Sequence, residues 1–364
     1  MPWTGHPPAP SLRDAIALST FDLGLRTRAP LAVAGIIEEQ GFEEADWLDA
    51  VLARLKVPRA EWRVRRKEAI EAADRAEARA GRLGLTILSV FDQAYPSRLA
   101  RIADPPIVLW SRGTMPGDDG LVAVVGAREA TAAGRIMAER LGRELAQAGL
   151  GVVSGLARGI DGAAHRGALS AGGRTLAILG SGLDVVYPPE HRDLADEIVR
   201  TGGLLATEFL PGMRPAPQHF PLRNRIISGL VRAVVVVEAS ERSGSLITAK
   251  AALEQGRDVL AVPGGVASGS HRGCHGLIKD GARLVETVED VLEEIHWPSV
   301  RKSTSKTLPL SALEQILPPG CIVTLDELAA RTGLPAPELL AQISSLELAG
   351  RVSRLAGGSF VRLD

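Results

Sequence analysis

One feature restricts this chain more than any other: from Leu121 to Ile295, short and mainly apolar runs alternate with longer helix-patterned segments. The runs are Leu121–Val125, Gly151–Ser154, Thr175–Leu179, Leu204–Thr207, Ala233–Glu238 and Asp258–Val262, with a weaker one at Arg283–Val285. Helical patterns fill the gaps at Thr131–Ala148, Asp161–Ala171, His191–Thr201, Leu222–Leu230, Leu246–Gln255 and Val288–Ile295. A strand that is apolar on both faces has no side left for water, so it belongs in a parallel sheet covered by helices on both sides. The fold class expected is α/β, an extended Rossmann-like, doubly wound parallel sheet. Two further short strands read at Thr86–Phe91 and Ile107–Trp110, punctuated by Pro96, Pro105 and Pro106.

The flanks read differently. Ser11–Leu83 is rich in Ala, Leu, Glu and Arg, and its last part, Arg59–Arg82, is a charged helix pattern stopped by Gly84. A polar stretch follows the alternating zone. Beyond it, Thr324–Gly333 and Pro335–Leu348 read as helix-turn-helix, with Val352–Leu355 and Ser359–Leu363 as a β wing. Four segments are expected: a helical domain over 1–83, a Rossmann-like domain over 84–297, a linker over 298–308 and a winged helix over 309–364. With only Cys274 and Cys321 there is no disulfide framework, which fits a reducing cytoplasm. No apolar run approaches the ~20 residues of a membrane span, and the first ten residues lack the pattern of a signal peptide. A cytoplasmic protein with no membrane partner is expected.

In an open parallel sheet, ligands bind outside the carboxyl ends of the strands. Here those ends carry Gly126-Ala127-Arg128, then Ser154-Gly155-Leu156-Ala157-Arg158-Gly159, Gly180-Ser181-Gly182, Ser243-Gly244-Ser245 and Pro263-Gly264-Gly265. Glycines let backbone N–H groups approach an anion, and the helix N-termini that follow add partial positive charge. Five such loops on one edge favour a phosphate-binding cleft. It is not a standard dinucleotide site, since no G-x-G-x-x-G follows the first strand, and no Walker A loop occurs; no cofactor is expected, with a nucleotide-binding enzyme as the alternative.

The formal net charge is −1, which argues against coating duplex DNA by bulk electrostatics, yet charge acts where it sits. The 29 residues between Glu208 and Glu238 hold no carboxylate but do hold Arg214, Arg223, Arg225 and Arg232, with His219 beside Phe220. Phe220 reads as lying in a proline-punctuated loop (Pro215, Pro217, Pro221) before a helix that begins near Leu222. Cations for phosphates beside a flat face for a base suit single-stranded nucleic acid; a phenylalanine that merely plugs the core is the other reading. Arg223 and Arg225, two apart at a helix start, point in different directions, and which one faces a ligand stays open. Catalytic constellations are thin, and no catalytic residue is expected. Asp161 and His165, four apart on one helix face, are expected to hydrogen-bond and hold the helix start. His271-x-x-Cys274-His275 lacks a second ligand set of zinc spacing, so no metal is expected.

Three motifs in order, Ser154-Gly155-Leu156-Ala157-Arg158-Gly159-Ile160-Asp161, Phe220-Pro221-Leu222-Arg223-Asn224-Arg225-Ile226-Ile227-Ser228-Gly229-Leu230 and Ser243-Gly244-Ser245-Leu246-Ile247-Thr248-Ala249, resemble the DNA-processing protein A (DprA, also called Smf) family. Tyr95-Pro96 with Leu99, Pro105-Pro106, Tyr187-Pro188 and Leu277-Ile278 before Gly281-Ala282 agree, so the likeness covers roughly Leu85–Glu294. It implies a non-catalytic protein that binds single-stranded DNA, forms homodimers through its Rossmann-like domain and helps load the RecA recombinase during natural transformation. It also implies a SAM or helix-hairpin-helix-like N-terminal domain. By the family pattern Arg128 and Phe220 form the pocket for the strand. The candidate DNA-binding residues are Gly126, Arg128, Ser154, Gly155, Arg158, Gly159, Arg214, Phe220, Arg223, Asn224, Arg225, Ser243, Gly244 and Ser245. The chain departs from the pattern at Ala127, where serine is usual, and at Cys274-His275; Arg214 is the only cation shortly before the Phe-Pro motif.

Two other classes compete. Pro263-Gly264-Gly265 begins like the signature of nucleoside-monophosphate phosphoribohydrolases, which share the Rossmann-like fold, but His271 stands where their catalytic glutamate belongs. A transcription factor reading the duplex through its winged helix is disfavoured because Pro335–Leu348 carries Glu338 and Glu347 and no base. Protein contact suits that domain better.

Overall fold

The computed structural model describes residues 10–21, 29–38, 47–117, 120–298, 313, 316–317, 320–348, 351–355 and 358–362. Nine strands make one sheet: β1 (Thr86–Ser89), β2 (Val108–Gly113), β3 (Leu121–Val125), β4 (Gly151–Ser154), β5 (Thr175–Ile178), β6 (Leu204–Thr207), β7 (Ala233–Val236), β8 (Asp258–Ala261) and β9 (Arg283–Leu284). Their order is β1-β2-β6-β5-β4-β3-β7-β8-β9. Strands β3 to β9 pair in parallel, as the apolar runs require. The two extra strands join the β6 edge antiparallel. From β3 the chain winds outward through β4, β5 and β6, then crosses to β7, so the winding reverses between β3 and β7.

Side-chain alternation splits the core. Leu121, Ala123 and Val125 of β3 face one layer, while Val122 and Val124 face the other. The second layer is closed by Ala138, Leu141 and Leu145 of helix Ala132–Gln147 and by Ala163, Ala164 and Ala168 of helix Ile160–Ser170. The first is closed by Ile226, Ile227 and Leu230 of helix His219–Leu230 and by Ala249 and Ala252 of helix Ser245–Glu254. The N-terminal helices Leu12–Ser19, Ala29–Glu38, Trp47–Arg54 and Arg59–Leu83 pack into that same layer through Ile16, Leu18, Leu48, Val51 and Ala73. The long helix stops at Gly84, which takes the left-handed conformation (φ 63°) that a glycine adopts without strain.

Two expectations change here. The helix expected from Leu222 begins at His219, so Phe220 lies in its first turn and not in a preceding loop. Pro221 is tolerated there because a first-turn N–H has no helical acceptor to lose. Helix Arg272–Lys279 escaped the sequence pattern: it is short and carries Gly273 and Gly276, both poor helix formers.

The C-terminal residues form the winged helix. Helices Leu325–Thr332 and Ala336–Leu348 pack on a sheet of order β10-β12-β11, with β10 Ile322–Thr324, β11 Val352–Arg354 and β12 Ser359–Arg362. Leu328, Leu339, Ile343, Val352 and Phe360 make its own core. Strand β10, too short to read in advance, runs into a capping box in which Thr324 and Glu327 satisfy each other's backbone N–H groups. Of the expected linker, all but Pro298 lies outside the described residues.

His165 does not bond to Asp161. Its Nδ1 meets Thr175 Oγ1 at 2.7 Å, and Thr175 Oγ1 in turn donates to Val152 O. The imidazole therefore carries a proton on Nδ1. Burial, with smaller contributions from His191, Arg166 and Arg223, pushes its pKa down to about 3. The unfolded chain then binds a proton that the native state refuses. The stabilisation is complete above an unfolded pKa of about 6.5 and is lost as pH falls toward the folded value. Urea titrations of wild type and His165→Asn between neutral and mildly acidic pH test this. Wild type should lose stability faster on acidification, by up to about 1.4 kcal/mol per pH unit. Parallel pH profiles would contradict a buried neutral histidine.

Candidate functional site

The carboxyl ends of β3 to β7 open into one cleft of about 820 Å³ at the point where the winding reverses. Gly126, Ala127 and Arg128 line it after β3, Ala157 and Asp161 after β4, and Tyr187 after β5. Pro215, Pro217, Phe220, Arg223 and Asn224 contribute from beyond β6; Ser243, Gly244 and Ser245 come from beyond β7. The structure thus gathers eight of the sequence candidates into one concavity: Gly126, Arg128, Phe220, Arg223, Asn224, Ser243, Gly244 and Ser245.

Phe220 is neither a core plug nor fully exposed. Its ring lies against the backbone of Gly180, where a Cβ would come within 3.0 Å of Cδ1. The exposed guanidinium of Arg128 stands 4.7 Å from the ring centroid, and the Tyr187 ring meets it at 5.8 Å, tilted by 47°. A cation and two aromatic faces therefore converge on one wall. Tyr187 is a site residue that sequence reasoning misses. The signal was there: the chain has only two tyrosines, and this one is 37% exposed between glycine- and proline-rich turns.

The two buried arginines of helix His219–Leu230 separate cleanly. Arg223 reaches under the cleft, donates from Nη1 to Ile178 O and lies against the backbone of Gly155. Burial lowers its pKa to about 10, against the opposing pull of Asp161. It remains charged at neutral pH. Arg225 points the other way, donating from Nε to Asp104 (2.8 Å) and from Nη2 to Glu208 (3.0 Å). Burial works against its charge, but Glu208 and Asp104 outweigh it and hold the pKa above the usual arginine value. As a cleft contact Arg225 is corrected: it anchors the helix.

Other candidates support the cleft from behind. Ser154 is fully buried and donates to Val124 O. Asp161 Oδ2 accepts from the amides of Gly155 and Ala157, pinning the loop after β4. Burial raises the pKa of Asp161, with Arg223 and those amides opposing the rise. Gly159, at φ 72°, packs against the carbonyls of Ala127 and Arg128, where a side chain would collide. Arg158 pairs with Glu190 outside the cleft, and Arg214 lies exposed on the loop that leads into it. The carboxylate of Glu238 faces the cleft but is spent on the N-terminus of helix Ala132–Gln147, accepting from the amide and hydroxyl of Thr131. His275 is held by Gly264 O and Cys274 is buried, its pKa pushed up to about 11 by burial. Among the described residues no three His, Cys, Asp or Glu side chains cluster to hold a metal.

The family model for DNA recombination-mediator protein A matches residues 86–296, and one for the DprA winged helix domain matches residues 310–358. Protein Smf of Escherichia coli is 41% identical over 281 residues, covering 74% of this chain and 75% of that protein. DNA processing protein DprA of Streptococcus pneumoniae is 46% identical over 213 residues, 57% of this chain and 74% of that protein. The crystal structure of the pneumococcal protein aligns with a TM-score of 0.67 at 36% identity, over 79% of this chain and 99% of that one. DNA processing protein A of Helicobacter pylori, solved for its single-stranded DNA binding mode, aligns with a TM-score of 0.53 at 26% identity, over 59% and 97%.

Arg225→Ala strands Glu208 in the interior without its guanidinium and should cost about 3–5 kcal/mol in urea unfolding. Arg128→Ala, at an exposed position, should stay within about 0.5 kcal/mol of wild type. Equal stabilities would contradict the division of roles between the two arginines.

Proposed function

Because the chain belongs to the DNA recombination-mediator protein A family, we propose that it is a single-stranded DNA-binding recombination mediator that protects incoming DNA and helps load RecA during natural transformation. The observation that carries this reading is the cleft wall, where Arg128 stands over Phe220 beside Tyr187. A phosphodiester needs a cation and an unpaired base needs a flat face; duplex DNA offers no free base face to such a wall. Gly126, Ser243, Gly244 and Ser245 line the same concavity, while Arg223 supplies buried positive charge beneath it. Ser154, Gly155, Arg158 and Gly159 hold or border the loops, and Arg214 extends the positive rim.

Several finer points belong to the same proposal. The domains divide as 1–83, 84–297, 298–308 and 309–364, in line with the separate core of the winged helix. A binder is favoured over an enzyme because the two buried carboxylates that line the cleft, Glu238 and Asp161, are occupied by backbone and hydroxyl donors. A homodimer through the Rossmann-like part is supported by the open β9 edge, where Arg283 and Leu284 are both exposed, and by exposed Leu253 and Val266. The acidic helix Ala336–Leu348 suits a protein partner. A cytoplasmic site agrees with two unpaired cysteines, and no described helix is long and apolar enough to cross a membrane.

Titrating labelled oligonucleotides of matched length over a salt series tests the core of this proposal. Single strands should bind more tightly than duplex at physiological salt, with little dependence on sequence. Arg128→Ala should flatten the log–log salt slope by roughly 0.7. Phe220→Ala should cost about 1–3 kcal/mol with the slope nearly unchanged. Equal affinity for duplex and single strand, or two folded variants that bind like wild type, would contradict it.

A further inference from the structure

A second concavity, of about 490 Å³, lies where the N-terminal helix Arg59–Leu83 meets the sheet domain. The helix contributes Ala72, Arg75, Ala76, Arg79 and Arg82, and the other wall is Leu210 and Pro211. Arg75, Arg79 and Arg82 are spaced i, i+4, i+7 and so share one helix face, with alanines between them keeping the groove open. All three are exposed. Arg79 is committed: its Nε donates to Asp184 Oδ2 at 2.9 Å, Asp184 Oδ1 accepts from the amide of Gly212 at 2.7 Å, and the guanidinium packs on Gly212. Arg75 has only Glu71 as a distant partner, at 3.9 Å.

Two chain segments each reach from this groove to the cleft. One runs from Asp184, at the groove, to Tyr187 on the cleft wall. The other runs from Leu210 and Pro211, which line the groove, to Pro215 and Pro217, which line the cleft. Pro215 follows Pro211 by four positions, so the two sites lie within about 14 Å along that loop. Its surface carries Arg214 and no carboxylate. We infer that the single strand held in the cleft continues over this loop and lays its next phosphates on Arg75 and Arg82. The N-terminal domain is then part of the DNA-binding surface, and Arg79 is the clamp that holds the groove to the loop. The occupant follows from charge complementarity and from continuity with the cleft, and the inference rests on the reading of the cleft as a single-strand site.

The test compares oligothymidylates of about six and about twenty nucleotides, lengths on either side of a single-site footprint. The proteins are wild type, Arg75→Ala/Arg82→Ala, Arg75→Lys/Arg82→Lys and Arg128→Ala, all as the full chain. The double alanine variant should bind the short strand like wild type. It should bind the long strand about 5–10-fold more weakly, with the salt slope flattened by roughly 1.4, and the lysine pair should restore both. Wild-type affinity and slope on the long strand would overturn the inference while leaving the cleft intact, provided Arg128→Ala weakens both lengths. Equal losses on both lengths would overturn it too, because the arginines would then act on the cleft and not beyond it. If Arg128→Ala binds both lengths like wild type, the cleft reading falls and the continuation falls with it.

Discussion

What the cleft can present depends on how helix His219–Leu230 disposes of two guanidinium groups buried two residues apart. A buried charge without a partner costs several kcal/mol, so each arginine has to find acceptors in a fixed direction. Arg225 finds Glu208 and Asp104; Arg223 finds Ile178 O and the field of Asp161. Asp161 is itself fixed by the amides of Gly155 and Ala157. The helix therefore cannot turn or slide without unpairing one of them. Its first turn carries Phe220, so the ring is held against Gly180 and beneath Arg128 before any ligand arrives. Such pre-organisation lowers the ordering cost of binding, and it explains why a helix lining an open cleft has so polar an interior.

Much of this was legible in the sequence, for a physical reason. Strands buried on both faces must be apolar at successive positions, and the runs from Leu121 to Val262 are unmistakable on that criterion. The glycine-rich strand ends and the acid-free stretch around Phe220 marked the site, and the three motifs narrowed it. What failed were choices settled by partners far away along the chain. Nothing local tells Arg223 from Arg225; Asp104, which claims Arg225, lies 121 residues earlier. His165 and Asp161 have the spacing of a helical pair, yet Thr175 on the neighbouring strand took one and two loop amides took the other. The start of helix His219–Leu230 was placed late because Pro221 reads as a breaker, although a first turn accepts it.

The same contrast applies to charge. A chain of net charge −1 still exposes positive groups along one path: Arg128 at the cleft wall, Arg214 on the loop, and Arg82 and the loosely paired Arg75 on the N-terminal helix. The buried and half-buried carboxylates along this path are engaged, Glu238 by Thr131, Asp184 by Arg79 and Gly212, and Glu208 by Arg225, while Glu129 stays exposed at the rim. Local potential, and not the total, is what an approaching strand meets. The winged helix is different: its second helix carries Glu338 and Glu347 and no base, and its core is its own.

The central claim is that a base stacks on the wall formed by Phe220 and Tyr187 under Arg128. Photocrosslinking with a thiothymidine-substituted single strand, followed by mass mapping of the adducts, tests it most directly. The account predicts adducts concentrated on peptides containing Phe220 or Tyr187, suppressed by unlabelled single strand but not by duplex. Adducts confined to the winged helix, or spread without preference over the surface, would contradict it.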